Sequence, residues 1–491
     1  MRYLLGIDFG GGASKATLLC ENGEIIATAT TEYPTYYPAT GYAEQNPNDW
    51  VDATCKNIKS ILDKSGVLPN DIVCVSLDAA THTAVLMDEN FNVLCNSIYW
   101  TDTRSTEEVK YLKENYLEII EKQVLHKPDT IWSLPELMWI KNNNSETWGR
   151  VKKILFAKDY VRHCLTGDYV TDYIEAEGSM MFDINKMEWS EPLCAILGIS
   201  TDVMPRIVKP SDIVGEITKE ASEITGLCEG TRVICGTTDT VMEIFAAGAV
   251  TKGYMTLKLA TAGRICVITD KPYPDINLIN YSHILDGLYY PGTATKSCAA
   301  SYRWYRDTFG GDYAELDSGA ESIPIGSDGL IFHPYLNGEL TPYANPKLCA
   351  DFIGLRAFHT KAHFTRAVLE GVAMSMLDCK TTLDNMNIEH NDSAVIIGGG
   401  GKSPLWRQIV SDALGIELVE MKHTDSSFGS AMLAGVAAGV FESPQAAVEK
   451  CNKVITATKP NPENSLKYKE LFKKYKAIQK ALEPIYNGEY I

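Results

Sequence analysis

The sequence lacks the patterns that mark secreted, zinc-stapled and membrane-spanning proteins. Its thirteen cysteines are an odd number, and no two of them form a Cys-x-x-Cys pair. Scattered thiols of this kind are typical of reduced, mostly buried side chains and not of a disulfide framework. No stretch has 18 uninterrupted apolar residues, and residues 1–4 lead into a predicted strand without the layout of a signal peptide. We therefore predict a cytoplasmic protein with no membrane partner.

Positive charge is also scarce. The 45 Lys and Arg residues stand against 63 Asp and Glu residues, which gives a net charge of -18. This excess argues against nucleic acid or an anionic membrane as the main partner. It does not exclude an anionic small molecule, because a local glycine bend with Mg²⁺ can hold polyphosphate. The length of 491 residues exceeds one ordinary core, so we expect two or more domains.

The chain opens with an apolar strand, three glycines and a second strand. Residues 4–9 deliver Asp8 into Gly10-Gly11-Gly12, and residues 13–20 continue to an Asn22-Gly23 turn. Asn-Gly between extended runs favours a β-hairpin. The glycine bend lets backbone N–H groups approach an anion, and a carboxylate beside it can serve phosphate-bound Mg²⁺. The stretch therefore predicts a phosphate-binding hairpin.

Other interpretations use the same glycines. A dinucleotide fingerprint or a P-loop requires a helix directly after the bend. Residues 15–20 are short, include the β-branched Thr17 and run straight into a turn, so a helix is the poorer interpretation. A structural turn with an incidental Asp8 is the remaining alternative, and this stretch alone leaves it open.

A second strand also ends near a carboxylate. Residues 232–235 are followed by Gly236, a polar turn and Asp239-Thr240, and residues 241–247 are typical of a helix. Aspartate is a favoured helix cap, so capping around Asp239-Thr240 is one interpretation. The other is a catalytic base at a strand-to-helix junction.

Two further loops carry polar side chains. His82 follows a buried strand predicted at 71–77 and precedes another at 84–88, a position that favours a ligand contact over the core. A lone histidine is nevertheless most often structural. Asp102 and Arg104 follow a strand end, and their pairing as a salt bridge before the next helix is an equally simple interpretation.

The second half repeats the first. Residues 254–268 again read as strand, bend and strand around Thr261, but without the aspartate. Two such units roughly 250 residues apart fit two ordinary domains, with a boundary near 248–253. A third glycine-rich loop, Gly398–Gly401, lies between a buried strand at 394–397 and a helix. We predict domains at 1–248 and 249–491 that grip a nucleotide.

These features resemble the FGGY carbohydrate kinases, within the actin/hexokinase-like ATPase superfamily, and their xylulokinase branch most. The match extends from residue 3 to about residue 440. Its most specific part is the second family signature, in which Ala350–Leu355 are followed after seven residues by His363–Glu370. Residues 334–339, 165–167 and 397–400 support it.

The resemblance implies an α/β fold of two RNase H-like domains with an interdomain cleft, ATP mainly on the C-terminal domain and sugar mainly on the N-terminal one. It implies Asp8 as the Mg²⁺-associated residue and Asp239 as the general base. The sugar would contact Thr81, His82, Asp102, Asp239 and Thr240. ATP would contact Gly10, Gly11, Gly12, Lys15, Thr261, Gly399, Gly400, Gly401 and Lys402.

Departures from the family pattern concern mostly the sugar. The chain has Ala80-Thr81-His82 for the usual Gln-Met-His, Asp239-Thr240 for Asp-Asn, and Ala260-Thr261-Ala262-Gly263 for Gly-Thr-Ser-Gly. Glu136 and Leu340 stand where Lys and Arg are usual. Both aspartates of the proposed chemistry are kept.

We therefore expect ATP-dependent phosphorylation of a ketopentose, D-xylulose to D-xylulose 5-phosphate first. Ribulose, fuculose, gluconate, glycerol and erythritol are the alternative acceptors. An actin- or Hsp70-like ATPase and an inactive sugar-binding regulator are the rivals from other classes. The expected partners are the sugar and ATP, and the resemblance leaves room for a homodimer.

Overall fold

The computed structural model describes residues 1–275 and 277–489. In chain order the strands are β1 Tyr3–Phe9, β2 Ala13–Cys20, β3 Ile25–Glu32, β4 Glu44–Gln45, β5 Ile72–Ala79, β6 Ala84–Met87, β7 Ser97–Ile98, β8 Lys153–Phe156, β9 Val170–Asp172, β10 Phe182–Asp183, β11 Glu188–Trp189, β12 Arg206–Val208, β13 Ile213–Glu216, β14 Arg232–Ile234, β15 Thr237–Thr238, β16 Met255–Leu259, β17 Gly263–Val267, β18 Gly292–Ala294, β19 Ile331–His333, β20 Asp351–Ile353, β21 Ser393–Ile397, β22 Glu417–Met421 and β23 Val454–Thr458.

The helices account for most of the remaining regular structure. They are α1 Pro47–Ser65, α2 Thr106–Asn115, α3 Leu117–Gln123, α4 Ser133–Asn143, α5 Ser145–Arg150, α6 Ala157–Thr166, α7 Tyr173–Gly178, α8 Glu191–Leu197, α9 Lys219–Thr225, α10 Asp239–Ala246, α11 Ala299–Phe309, α12 Tyr313–Glu321, α13 Lys361–Asn385, α14 Pro404–Leu414, α15 Ser426–Ala437, α16 Pro444–Cys451 and α17 Pro462–Asn487. In the described part of the chain, no helix is both long and apolar enough to cross a bilayer.

The described chain divides into two compact units. Unit 1 contains Met1–Val250, Tyr281–Gly287 and His423–Asn452, and unit 2 contains the other described residues. The chain first leaves unit 1 after Val250, inside the stretch predicted as the boundary. The units differ from the predicted ranges 1–248 and 249–491 because two later segments return to unit 1. Their contacts with it are long-range in sequence, so local composition does not reveal them.

The sheet of unit 1 begins with the predicted hairpin. Its strand order is β13-β14-β5-β1-β2-β3, and β15 pairs with β5. Strands β1 and β2 are antiparallel, with Asp8 opposite Lys15, and β5 runs parallel to β1, with Asp78 beside Asp8. The turn into β3 is at Gly23, where φ is 91°. The predicted hairpin and Asn-Gly turn are confirmed.

Unit 2 repeats this topology. Its sheet has the order β18-β17-β16-β21-β22-β23. In each sheet three antiparallel strands are followed by two parallel neighbours and an antiparallel edge strand. The predicted strand–bend–strand repeat therefore belongs to a repeated sheet, and the predicted α/β class is confirmed.

Each unit has its own apolar core. Unit 1 buries Leu5, Ile7 and Val75, and unit 2 buries Leu257, Val368 and Leu418 among other side chains. Burying an apolar side chain of this size stabilises the fold by about 1.5–3 kcal/mol. In unit 1, helix α15 packs so closely on β1 that a Cβ at Gly6 would lie 2.0 Å from the carbonyl oxygen of Ser427. Glycine at position 6 is therefore required by the packing.

Element existence was predicted better than element bounds. Helix α1 begins at Pro47, because the side chain of Asn46 accepts a hydrogen bond from the backbone N–H of Asn48. The spacing of Ile58, Ile61 and Leu62 predicts this helix over 49–65, so it begins two residues before the predicted start. The helix predicted at 363–378 continues to Asn385 as α13.

Candidate active site

Three carboxylates meet at one edge of the unit 1 sheet. Asp8 lies near the end of β1, Asp78 near the end of β5, and Asp239 directly after β15. The parallel registers pair Asp78 with both Asp8 and Thr237. Since the carboxyl ends of parallel strands share one edge of a sheet, these side chains converge there. Asp78 was interpreted only as the start of the loop after its strand, and the structure adds it to the site.

Burial and neighbouring negative charge raise the pKa values of two carboxyl groups at this edge, Asp8 and Asp78. Burial is the main cause that raises the pKa of Asp8 to about 7, and the charge of Asp239 adds to it. Burial also raises the pKa of Asp78 well above its usual range, with the charge of Asp8 as the next cause. The hydroxyl of Ser430 donates to Oδ2 of Asp78 at 2.5 Å. The edge therefore favours either a shared proton or a bound cation.

Asp239 is not the cap of helix α10. The N-cap is Thr238, whose side chain makes no capping hydrogen bond, and Asp239 is the first helical residue. The predicted capping around Asp239-Thr240 is therefore wrong by one position, because Thr238 already has the extended backbone of a cap. The hydroxyl of Thr240 donates to Oδ1 of Asp239 at 3.2 Å. A half-exposed carboxylate at a strand-to-helix junction is what a proton acceptor requires.

The glycine bend between β1 and β2 turns its carbonyl groups inward. The Tyr33 hydroxyl donates to the carbonyl of Gly10 at 2.5 Å, and the Gln45 side chain donates to that of Gly11 at 3.0 Å. In a trans peptide the next N–H points away from the carbonyl. The N–H groups of Gly11 and Gly12 therefore face away from these side chains, and both residues are exposed. This arrangement fits an anion cradle.

Lys15 has an acidic partner inside unit 1. Its amine lies 2.6 Å from Oδ2 of Asp425. Asp425 caps helix α15, and its Oδ1 accepts from the backbone and hydroxyl of Ser427. The sequence gives no signal for a pair separated by 410 positions. The predicted contact of Lys15 with a phosphate stays a prediction.

His82 is buried, although it lies in the predicted loop between β5 and β6. Its φ of 67° is unusual for a non-glycine residue, which indicates a backbone held in place by its neighbours. The backbone N–H donates to Glu175 at 2.7 Å, and the carbonyl accepts from the Ser133 hydroxyl at 2.6 Å. A Cβ at Gly178 would overlap the His82 ring at 1.7 Å. Thr81, next to it, remains half-exposed.

An aromatic cluster surrounds the His82 ring. Nε2 of His82 lies 2.5 Å from the Tyr281 hydroxyl, and the ring centroid lies 4.9 Å from that of Trp132. His126 stacks on Trp132 at 4.1 Å. Tyr281, Trp132 and His126 were not predicted as site residues. Tyr281 lies about 200 positions away and offers no local signal, and Trp132 and His126 lie in a stretch interpreted as mostly helical.

Asp102 forms the predicted salt bridge. Its carboxylate lies 2.7 Å from the Arg104 guanidinium and also accepts from the backbone of Ala43 at 2.6 Å. Arg104 pairs in addition with Glu44 at 2.9 Å. These bonds fix the orientation of Asp102, whose contact with a sugar stays a prediction.

The bend between β16 and β17 in unit 2 also turns its carbonyls inward, toward a helix. The carbonyls of Ala260 and Thr261 accept from the backbone N–H groups of Ala299 and Cys298 at 2.7 and 2.9 Å. Thr261 itself is exposed. Lys258 and Arg264 stand opposite each other in the register. The unit 2 bend therefore presents basic residues where the unit 1 bend presents Asp8.

The four-glycine loop forms a short 3₁₀ turn over Gly399–Lys402. Gly400 and Gly401 are buried, and added Cβ atoms there would lie about 3 Å from Leu259 and Ile396. Gly399 and Lys402 are exposed. The two buried glycines are thus explained by packing, whereas the outer two can meet a ligand.

The structure brings most of the predicted site residues into unit 1, namely Asp8, Gly10, Gly11, Gly12, Lys15, Thr81, His82, Asp102, Asp239 and Thr240. Thr261 and Gly399–Lys402 belong to unit 2. Among the described residues there is no group of three or more His, Cys, Asp or Glu side chains placed to hold a metal ion. Oδ1 of Asp8 is buried and has no hydrogen-bond partner in that part of the chain.

Known proteins are similar to this chain in sequence and in fold. The FGGY family of carbohydrate kinases matches through its N-terminal domain at residues 3–246 and its C-terminal domain at residues 270–438. The xylulose kinase of Bacillus subtilis is 32% identical over 487 residues, covering 97% of each chain. The ligand-bound xylulose kinase from Lactobacillus acidophilus has a TM-score of 0.93 at 26% identity, covering 99% of this chain and 100% of that one. The gluconate kinase from the same species also has a TM-score of 0.93 at 26% identity, covering 99% of both chains.

Proposed function

Because the chain belongs to the FGGY family of carbohydrate kinases and is an ATP-dependent sugar kinase, we propose that it phosphorylates a ketopentose, with D-xylulose as the preferred acceptor and D-xylulose 5-phosphate as the product. The observation that carries the chemistry is the convergence of Asp239 with Asp8 beside an exposed glycine bend. The similarity to xylulose kinases over nearly the whole chain supports the choice of sugar.

Asp239 is the proposed proton acceptor. Phosphoryl transfer to an alcohol requires in-line positioning, charge neutralisation and one group to take the hydroxyl proton. A carboxylate is basic enough, because the proton leaves late, as the new O–P bond forms. The hydroxyl of Thr240 donates to Asp239 and holds its carboxylate in one orientation.

Asp8 is the proposed residue for Mg²⁺. Its buried Oδ1 lacks a protein donor among the described residues, and the two neighbouring aspartates make the edge strongly acidic. Mg²⁺ usually takes one or two carboxylates, with water and substrate phosphates completing its shell, so a protein cage of three ligands is not needed. When bound, the ion neutralises the charge that develops on the transferred phosphoryl group.

ATP is proposed to meet the two bends and the glycine-rich turn. The N–H groups of Gly11 and Gly12, with Lys15 nearby, suit phosphate oxygens. Thr261 is proposed to contact a phosphate in the same way, because the bend of unit 2 has the same inward carbonyl pattern. The exposed Gly399 and Lys402 suit the adenosine.

The sugar is proposed to contact the loops of unit 1 that carry Thr81, His82, Asp102 and Thr240. Recognition by polar side chains is strongly selective, because a missing hydroxyl leaves buried groups unpaired. A filament or chaperone ATPase and an inactive regulator are the alternatives from other classes. Neither requires a sugar-binding loop next to a catalytic base. The cytoplasmic location and the homodimer remain predictions.

Gluconate is the second candidate acceptor, because a gluconate kinase has the same TM-score as a xylulose kinase. The test is kcat/KM over D-xylulose, D- and L-ribulose, L-xylulose, L-fuculose, gluconate, glycerol and erythritol. We expect D-xylulose to lead. If gluconate or glycerol exceeded every ketose by tenfold or more, the ketopentose proposal would be wrong while sugar kinase activity stood.

A further inference from the structure

One buried carboxyl group of unit 1 has no part in the proposed chemistry. Glu136 lies on helix α4 and is 3% exposed. Within residues 1–275 and 277–489, nothing forms a hydrogen bond with its Oε1. Buried polar atoms nearly always have a partner, and leaving one unsatisfied costs about 1–3 kcal/mol. An unpaired carboxyl oxygen beside a binding loop therefore indicates a ligand contact.

The helix places Glu136 between two proposed sugar contacts. Ser133, three residues earlier, donates to the carbonyl of His82 at 2.6 Å. Trp139, three residues later, has its ring 4.9 Å from the Arg104 guanidinium, which is paired with Asp102. Residues three apart lie on the same side of a helix. Glu136 therefore occupies the side of α4 that connects the His82 loop with the Asp102 loop.

Among the described residues, Arg104 is the cation whose charge acts on Glu136, and it is already paired. The charges acting on Glu136 are those of Asp102 and Arg104. Arg104 already pairs with Asp102 at 2.7 Å and with Glu44 at 2.9 Å. Burial, followed by the charge of Asp102, raises the pKa of Glu136 well above its usual range. In its acid form the carboxyl group can both donate and accept a hydrogen bond.

Glu136 is also separated from the reacting end of the site. The charges of Asp102 and Arg104 act on Glu136, which groups it with the Asp102 loop, whereas the charges of Asp239 and Asp425 act on Asp8. If the acceptor hydroxyl lies at Asp239, the proposed base, then the Asp102 loop and Glu136 are left for the other end of the acceptor chain. D-Xylulose and D-gluconate differ most at that end, which is a hydroxymethyl ketone in the first and a carboxylate in the second.

We propose that Glu136 hydrogen-bonds a hydroxyl at the non-reacting end of the acceptor and restricts the site to neutral polyols, excluding acceptors that end in a carboxylate. This inference rests on the proposed function. A hydroxyl can donate to the unpaired Oε1 and also accept from the acid form of Glu136, whereas a carboxylate cannot donate to Oε1 and adds a second negative charge beside Asp102. Arg104 compensates little, because its single positive charge already faces the carboxylates of Asp102 and Glu44.

The test compares D-xylulose and D-gluconate as acceptors for the wild type, Glu136→Gln and Glu108→Gln. The wild type should prefer D-xylulose by at least about 100-fold in kcat/KM. Glu136→Gln keeps a neutral donor and acceptor, so kcat/KM for D-xylulose should change less than about threefold, whereas kcat/KM for D-gluconate should rise about tenfold because the amide cannot ionise and donates to a carboxylate. Glu108 is the matched control, a buried glutamate of α2 that also has an unpaired carboxyl oxygen among the described residues. Its variant should keep the wild-type ratio.

Parallel changes for both acceptors in Glu136→Gln would overturn the inference, because a merely structural role affects them alike. A wild type that prefers D-gluconate would overturn it while the kinase activity stood. No transfer to any acceptor despite sound ATP binding would instead refute the proposed function and the inference with it. Calorimetric titration of the wild type with each acceptor does not depend on variant folding. It should detect D-xylulose alone, and equal affinities would contradict the inference.

Discussion

The two strand–bend–strand units have the same backbone plan but different side-chain charges beside the bend. In unit 1 the second residue pair from the bend is Asp8 and Lys15, and in unit 2 it is Lys258 and Arg264. Both bends turn carbonyl groups inward, the first toward Tyr33 and the second toward helix α11. The shared backbone can present N–H groups to phosphate in both units. Only the first bend has a carboxylate beside it, Asp8, that can bind a cation next to the proposed base. Side-chain charge, not backbone form, distinguishes the two halves of the duplication.

The largest effect should come from removing the proposed proton acceptor beside the acidic bend. Asp239→Asn should lower sugar phosphorylation by about 10²–10⁴-fold, because the attacking hydroxyl then has no base. Steady-state turnover measures it, with calorimetric nucleotide binding and thermal unfolding as controls for folding. Retention of more than a tenth of the wild-type rate by a folded variant would make Asp239 a structural residue.

The second-largest effect tests whether Mg²⁺ binds beside the first bend, at Asp8, and not beside the second. Asp8→Ala should raise the Mg²⁺ concentration needed for half-maximal turnover by about 10–100-fold, since a group that holds the metal is lost. Titration of activity with Mg²⁺ measures this shift. The matched change at the second bend, Lys258→Ala, should leave the Mg²⁺ requirement unchanged. Equal shifts in both variants would contradict the assignment.

The acidic bend should also respond to pH. The pKa of Asp8 is raised by burial to about 7, so its acid form dominates at pH 6 and its carboxylate at pH 8. Because folding raises the pKa of Asp8, ionisation of this carboxyl group destabilises the folded protein. The contribution of protonated Asp8 to the free energy of unfolding is complete below about pH 4 and is lost as the pH rises through about 7. Mg²⁺ needs the carboxylate, so its affinity should rise about tenfold from pH 6 to pH 8.

Calorimetric titration of Mg²⁺ with a non-hydrolysable ATP analogue measures this dependence. Asp8→Asn is the control and should remove most of the pH dependence beyond that of the nucleotide. A wild-type affinity that is flat over this range would show that Asp8 does not titrate there.

The smallest effect concerns the packing of the first strands. Helix α15 requires glycine at position 6 of β1, whereas β16 has Thr256 at the equivalent position. Gly6→Ala should destabilise the protein by about 1–3 kcal/mol, because the new Cβ overlaps the backbone of α15. Gly12→Ala, whose Cβ would meet no atom within 4 Å, should change stability by less than about 0.5 kcal/mol. Chemical unfolding compares the two, and equal losses would contradict the packing account.

Local signals explain what the sequence predicted. Apolar strands with glycine or Asn-Gly between them indicated both bends, since such patterns depend on neighbouring residues only. The position of Asp239 at a strand-to-helix junction followed in the same way. Its cap was misplaced by one residue, because Thr238 and Asp239 are both acceptable cap residues.

Long-range contacts explain what the sequence did not predict. Asp78 joins the site through the pairing of β5 with β1, and Lys15 meets Asp425 across 410 positions. Tyr281 reaches His82 through a short segment that returns to unit 1. Each contact depends on the finished sheet, so no pattern within a window of ordinary length contains it.

The central claim is that phosphoryl transfer to a sugar takes place at the acidic bend. The most direct measurement is the ratio of ADP to sugar phosphate formed from ATP, with and without D-xylulose, by the wild type and by Asp239→Asn. We predict one ADP for each D-xylulose 5-phosphate in the wild type, little ADP without sugar, and loss of both products in the variant. ADP formation at the same rate without sugar, unchanged in Asp239→Asn, would contradict the claim and favour an ATPase of the actin or Hsp70 kind.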